Sequence, residues 1–251
     1  MGRDVTEALV DYAQSREGMN VLDIASGTGE PAITIASRIG PTGRVAASDL
    51  SADLLAIASQ RARQRGFDHV STHQADAQSL PFADDSFDLA TCRFGVMFFP
   101  DVQRALRELM RVLKTGARAC FAVWGPKEQP YFSSSIAIVH EHVGGPLIAP
   151  GSPDPFRFAQ PGSLSRALND AGFAEVHEET RILPWTWPGS AEEVWEQQQA
   201  VAAPFRALLN RVPADRWPEL NEEIYSAIRK YKDGDNLKFT ATIIFASGRK
   251  P

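Results

Sequence analysis

Five short strand-like segments fall between residues 20 and 124, at 20–25, 44–50, 69–76, 86–96 and 117–124. Segments with apolar residues every three or four positions lie before and between them. Parallel strands cannot be joined by tight hairpins and need crossover connections, usually helices. Such a chain is therefore constrained to a mostly parallel sheet with helices on both faces, a three-layer α/β/α sandwich. The predicted helices are 5–13, 32–39, one entered at Ser51 and ended at Gly66, and one carrying Val102, Ala105, Leu106, Leu109, Met110 and Leu113 on a single face.

After Trp124 the rhythm breaks. Residues 125–162 are rich in proline and glycine around one helical piece, 132–143. A helix at 163–173, capped by Ser163 and ended by Gly172, and a strand at 174–182 resume the alternation. A second irregular stretch, 188–235, carries Leu220, Ile224, Ile228 and Tyr231 at helical spacing, and 237–248 reads as the last strand. The expected organisation is one domain, 1–251. Its core is 5–124, 163–182 and 237–248, and the insertions 125–162 and 188–235 act as lids.

The first strand runs into the glycine turn of VLDIASGTGEPA, residues 21–32. A phosphate loop would need Lys and Ser or Thr after the second glycine, and Gly27-Thr28-Gly29-Glu30-Pro31 has no lysine. Gly27, Gly29 and Ala32 satisfy the dinucleotide pattern literally, but that match alone is weak. A pyrophosphate at the following helix N-terminus would meet Asp23 and Glu30, which repel it. A carboxylate-rich glycine turn suits a cationic ligand instead. S-adenosylmethionine carries an ammonium and a sulfonium and no phosphate. Asp49, at the end of the second strand, is placed to accept both ribose hydroxyls through charge-assisted bonds, each worth roughly 1.5–3 kcal/mol. Asp76, at the end of the third strand, is placed for the adenine amino group with Ala77 beside it. Strand ends of an open α/β sheet converge on one crevice, so the three acids can address one ligand.

These stretches resemble class I S-adenosylmethionine-dependent methyltransferases, within the group that includes ubiquinone- and menaquinone-biosynthesis methyltransferases. VLDIASGTGE is similar to the family's first motif, ASDLS to its ribose-binding acid, and QADAQSLPFADDSFDLA to its adenine-site and fourth-strand region. LRELMRVLKTGAR is similar to the helix and turn before the fifth strand. It departs at Thr115, where proline is usual, and at Ala117, where a second glycine is common. The resemblance covers 5–124, and more loosely 163–182 and 237–248. It implies a Rossmann-like, seven-stranded, mostly parallel sheet whose last strand is antiparallel. It also implies methyl transfer to a small acceptor, with S-adenosylhomocysteine as product. Carried over by position, Asp23, Ala25, Ser26, Gly27 and Gly29 surround the methionine part, and Asp49 and Leu50 hold ribose and adenine. Asp76 and Ala77 take the adenine edge, while Arg93 and Phe94 line the pocket near the methyl group. Structural readings stand beside these: Asp23 could bond turn backbone, Asp49 could cap a helix, and Arg93 could pair with Asp101. Relatives in this family carry extra helices over the cofactor, whereas only residues 1–19 precede the first strand here, so an incomplete N-terminal cover is expected.

No catalytic residue is assigned from sequence. Of five histidines, His69, His73 and His177 fall on strand-like segments, and His140 and His142 on the first insertion. Two apart on a helix, at most one of the last pair would face the site as a base. Phe94, Trp124, Tyr131, Phe132, Phe156 and Trp185 belong to an aromatic set that either lines a hydrophobic acceptor pocket or forms the lid core. A net charge of −5 with scattered arginines argues against nucleic acid as a partner. There is no signal-like run in residues 1–20 and no 18-residue apolar stretch, so a cytoplasmic protein without a membrane span is expected. Cys92 and Cys120 sit in apolar strand-like runs and read as inert, and no metal-ligand spacing is present. A nicotinamide-dependent oxidoreductase on a similar fold and a non-catalytic S-adenosylmethionine-binding protein are the rival readings. Oligomeric state is not legible.

Overall fold

In the computed structural model, which describes residues 2–251, β1 (Asn20–Ile24) follows helix α1 (Arg3–Ala13). Next come α2 (Ala32–Ile39), β2 (Arg44–Asp49), α3 (Ala52–Gln64), β3 (Val70–Gln74), β4 (Phe87–Arg93), α4 (Val102–Val112) and β5 (Leu113–Trp124). The second half contains α5 (Pro130–Ser133), α6 (Ile136–Val143), α7 (Ser163–Asp170), β6 (Ala174–Pro188), α8 (Ala191–Ala200), α9 (Arg206–Leu209) and α10 (Trp217–Arg229). Two further strands, β7 (Lys232–Asp233) and β8 (Asn236–Arg249), complete the chain.

The sheet order is β3-β2-β1-β4-β5-β8-β6. Strands β1 to β5 pair with one another in parallel, and β8 is antiparallel to both β5 and β6. The expected seven-stranded path with one reversed strand is therefore present. The two-residue β7 adds an eighth strand by pairing back onto β8. Val21, Leu22, Asp23 and Ile24 are buried in succession, and so are Ala119 to Trp124, which requires cover on both faces. Helix α2 contacts both α1 and α3, and α4 contacts α7, forming the two outer layers.

Local chemistry explains the helix starts. Ser51 accepts from the Leu54 amide at 3.3 Å to open α3, and Asp101 accepts from the Arg104 amide at 2.9 Å to open α4. Ser190 and Glu193 form a reciprocal capping box on α8. The buried faces match the periodicity: Val102, Ala105, Leu106 and Leu109 on α4, and Leu220, Ile224 and Ile228 on α10.

Several boundaries differ from expectation. Helix α4 stops at Val112, and Leu113 already belongs to β5, four residues ahead of the predicted start. The single helix expected over 132–143 is two helices separated by Ser134 and Ser135, whose hydroxyls bond back to the Pro130 and Tyr131 carbonyls and compete with helix continuation. Ser163 is the first helical residue of α7 and not its cap. The cap position is Gly162, held at φ 82°, and the amides of Gly162 and Ser165 donate to Glu178 on β6. Strand β6 runs six residues past Ile182 because its whole length pairs with β8.

Candidate ligand-binding cleft

Strand register sets the site. Asp23 lies abreast of Ala47 on β2 and Thr91 on β4, and Asp49 abreast of Gln74 on β3. The glycine turn leaves β1 there and folds against the end of β2: the Ser26 amide donates to the Ser48 carbonyl, and the Gly27 amide to Asp49 Oδ2 at 2.8 Å. Asp49 Oδ1 accepts from the Ser51 amide at 2.9 Å. Asp49 thus ties the loop to the start of α3, as a helix-entry residue would, while remaining partly exposed.

Gly29 is buried under the turn at φ 105°. A Cβ there would come within 2.7 Å of Ile33 Cδ1 and 3.2 Å of Ala58 Cβ, so the turn can seat on α2 and α3 only with glycine. Ala25 and Phe94 also take left-handed conformations, at φ 54° and 60°, and both line the cleft. Non-glycine residues held there are uncommon and gather at functional sites.

The cleft occupies about 1150 Å³. Its inner wall is Ala25, Ser26, Gly27, Arg93 and Phe94, all foreseen from sequence. Gly2 and Thr6 of the N-terminal segment and Gln197 and Val201 at the end of α8 form walls that were not foreseen. Farther out the groove passes over α2 and reaches Arg61, which bonds the Thr28 carbonyl and hydroxyl. Leu50, Asp76 and Ala77 lie beyond Asp49, outside this cleft. Leu50 is 67% exposed, Ala77 is buried, and Asp76 is exposed in the turn after β3, accepting from the Gln78 amide at 2.8 Å.

Asp23 is fully buried. The Thr91 hydroxyl donates to its Oδ1 at 2.7 Å, and Oδ2 has no partner among the described residues. Burial pushes this carboxyl up to about 7, against the opposing pull of the Thr91 hydroxyl and the Arg93 charge. Arg93 does not pair with Asp101, which is occupied as the α4 cap. Its Nη1 donates to the Gly2 carbonyl at 3.2 Å and the Thr6 hydroxyl at 3.0 Å. Thr91 and the α1 contact escaped sequence reasoning. The available signal was a lone threonine inside the apolar β4 run, opposite an acid inside the apolar β1 run.

Neither insertion histidine reaches the cleft. His140 bonds the Gly145 carbonyl, and His142 bonds Glu223 at 2.7 Å. His69 and His177 bond the Ala36 carbonyl and the Tyr12 hydroxyl, so they are structural. The aromatic set packs on itself. Phe94 stacks on Trp124 at 4.5 Å, Trp124 meets Phe132 at 5.1 Å and Trp185 at 4.9 Å, and Phe132 meets Phe156 at 4.9 Å. Only Phe94 of this chain of rings borders the cleft, while Phe132 and Phe156 line a separate cavity of about 270 Å³ beside His140. Cys92 and Cys120 are fully buried, and burial pushes both thiols up to about 12, which keeps them protonated and unreactive.

A sheet of this order, covered by helices on both faces and with a glycine turn and an acid at the ends of its first two strands, defines a Rossmann-like α/β protein. The chain belongs to the ubiE/COQ5 methyltransferase family, whose model matches residues 3–142. It is 34% identical over 128 residues to a demethylmenaquinone methyltransferase of Halalkalibacterium halodurans, covering 51% of this chain and 52% of that one. It is 31% identical over 176 residues to a ubiquinone/menaquinone biosynthesis C-methyltransferase of Bdellovibrio bacteriovorus, covering 68% and 73%. The match to the first of these relatives spans about half of that relative's length. The YcgJ protein from Bacillus subtilis shares the fold, with a TM-score of 0.62 at 23% identity over 98% of this chain and 97% of that one. No helix among the described residues is long and apolar enough to cross a membrane.

Proposed function

We propose that this protein transfers a methyl group from S-adenosylmethionine to a small hydrophobic acceptor of the quinol or aromatic class. One observation carries the reading: a buried carboxylate, Asp23, has a bare oxygen beside a glycine turn that a second acid, Asp49, anchors. A bare buried carboxylate oxygen fits an ammonium and repels a pyrophosphate, so the nicotinamide alternative is disfavoured. Family membership and the relatives named as quinone-pathway methyltransferases support the acceptor class.

When bound, S-adenosylmethionine supplies an electrophilic methyl group on a positively charged sulfur. In this reading Asp23 holds the ammonium, and Ala25, Ser26, Gly27 and Gly29 present backbone to the methionine part. Asp49 takes the ribose hydroxyls, Leu50 lies against the adenine, and Asp76 with Ala77 takes the adenine edge. Arg93 and Phe94 close the inner end, and Gln197 and Val201 of the second insertion shelter it from water. Alignment of donor and acceptor supplies most of the acceleration, since oriented pairs gain effective molarities on the order of 10⁵–10⁸ M. The net charge of −5 and the absence of a basic stripe support a small-molecule acceptor over nucleic acid.

The test is incubation with methyl-labelled S-adenosylmethionine and demethylmenaquinol or simpler quinol analogues. Label in the quinol fraction, lost in Asp49→Ala, is the expected result. Cofactor binding with no label in any quinol or aromatic acceptor would remove the transfer step.

A further inference from the structure

Arg93 lines the cleft, Asp23 lies fully buried behind its wall, and no salt bridge joins the two among the described residues. Asp23 Oδ2 has no partner, and neither has the buried Nε of Arg93 among the described residues. The other nearby acid is occupied: Glu30 accepts from the Thr34 hydroxyl at 2.7 Å and lies 3.5 Å from Arg65. Among the described residues the hydrogen bonds of Arg93 go only to neutral groups, the Gly2 carbonyl and the Thr6 hydroxyl. Asp23 and Glu30 act on this largely desolvated guanidinium only at longer range, so it lacks a directly bonded anion, and its planar fork matches a carboxylate. A cation on the cleft wall, with a buried carboxylate behind the adjoining turn, is complementary to a zwitterion.

We propose that Arg93 is the carboxylate anchor of the cleft, binding the amino-acid end of the ligand, and that the first turn of α1 belongs to this site because it fixes the guanidinium. The proposal rests on the S-adenosylmethionine reading above. Thr6 acts as a positioning residue: its hydroxyl donates to the Gly2 carbonyl at 3.0 Å while accepting from Arg93. Gly2 is required by close approach. It holds φ 81°, and a Cβ there would lie 2.9 Å from Arg93 Nη1 and 3.3 Å from Trp185. Any side chain at position 2 would push the guanidinium off its seat. Sequence gave no sign of this, because the contact joins residues 2 and 6 to residue 93.

The test compares two ligands that differ only in the carboxylate. S-adenosylmethionine and decarboxylated S-adenosylmethionine are titrated calorimetrically into the wild-type protein, Arg93→Gln and Thr6→Val. The wild type is expected to prefer the carboxylated ligand at least thirtyfold. Arg93→Gln should lose that preference while binding the decarboxylated ligand within about threefold of wild type. Thr6→Val should narrow the preference several-fold. Equal affinities for the two ligands in the wild type, or a preference unchanged in Arg93→Gln, would overturn the assignment, and neither result depends on how stable the variants are. A wild-type protein that binds neither ligand contradicts the cofactor reading itself, a different outcome from binding both alike.

Discussion

The Thr91 hydroxyl donates a 2.7 Å hydrogen bond to one oxygen of Asp23, across the β1–β4 pairing that sets the two residues side by side. The other oxygen, buried equally, meets no donor among the described residues. A carboxyl half-satisfied in the core is costly when ionised, and burial raises it from 3.8 to about 7. The folded chain therefore binds this proton more tightly than the unfolded chain. The contribution of the group to stability is fully present below pH 4 and is lost as pH rises through about 7.

Asp23→Asn should remove that pH dependence. At pH 8 the ligand-free variant is expected to be more stable than the wild type by up to on the order of 4 kcal/mol, and the gain should vanish near pH 4. Urea melts at both pH values measure it. A variant less stable than wild type at pH 8 contradicts the assigned cost of Asp23 ionisation.

The same ionisation governs ligand binding with the opposite consequence. A cationic group at Oδ2 needs the carboxylate charged, so affinity for S-adenosylhomocysteine should rise with pH, at most tenfold per unit, up to about pH 7 and level off above it. Titrations in buffers of different ionisation enthalpy should show proton release on binding below pH 7. A flat profile between pH 6 and 8 speaks against Asp23 as the ammonium partner.

Asp49→Ala should weaken binding of the same ligand tenfold or more, about 1.4 kcal/mol per decade. Because Asp49 also anchors the Gly27 and Ser51 amides, the loss is accompanied by a lower melting temperature. Unchanged affinity would remove the ribose assignment.

Gly95 follows Phe94 under the cleft floor. A Cβ at this position would lie 2.4 Å from Ala25 Cβ and 2.9 Å from Cys92 Sγ. Gly95→Ala should cost roughly 1–3 kcal/mol by overpacking and displace Ala25 from the inner wall, lowering both melting temperature and ligand affinity. A fully stable variant with intact binding would show that the β4 end can yield.

His142→Ala breaks an ion pair with Glu223 that joins α6 to α10 on the surface. Its stability cost should stay below about 1 kcal/mol. Methyl transfer is expected to keep its pH profile, because the residue is remote from the cleft. A lost acidic limb in that profile would return His142 to the site as a base.

Much of the first half was legible because its signals are local. A strand run, the Gly27–Gly29 turn and the Ser51 cap are each written within a few residues. The reach of Arg93 to Thr6 and the split of the 132–143 helix by two serine back-bonds depend on partners or geometry that periodicity does not encode. The aromatic residues were recognisable as a group from sequence. Whether they line a pocket or fill a core depends on ring-to-ring packing, which leaves Phe94 on the cleft and Phe132 and Phe156 on a separate cavity.

The most direct measurement is calorimetric titration of the wild-type protein at pH 8 with S-adenosylhomocysteine and, separately, NAD. Saturable one-to-one binding of S-adenosylhomocysteine and no heat from NAD are expected. Binding of NAD, or silence from S-adenosylhomocysteine, would contradict the cofactor assignment.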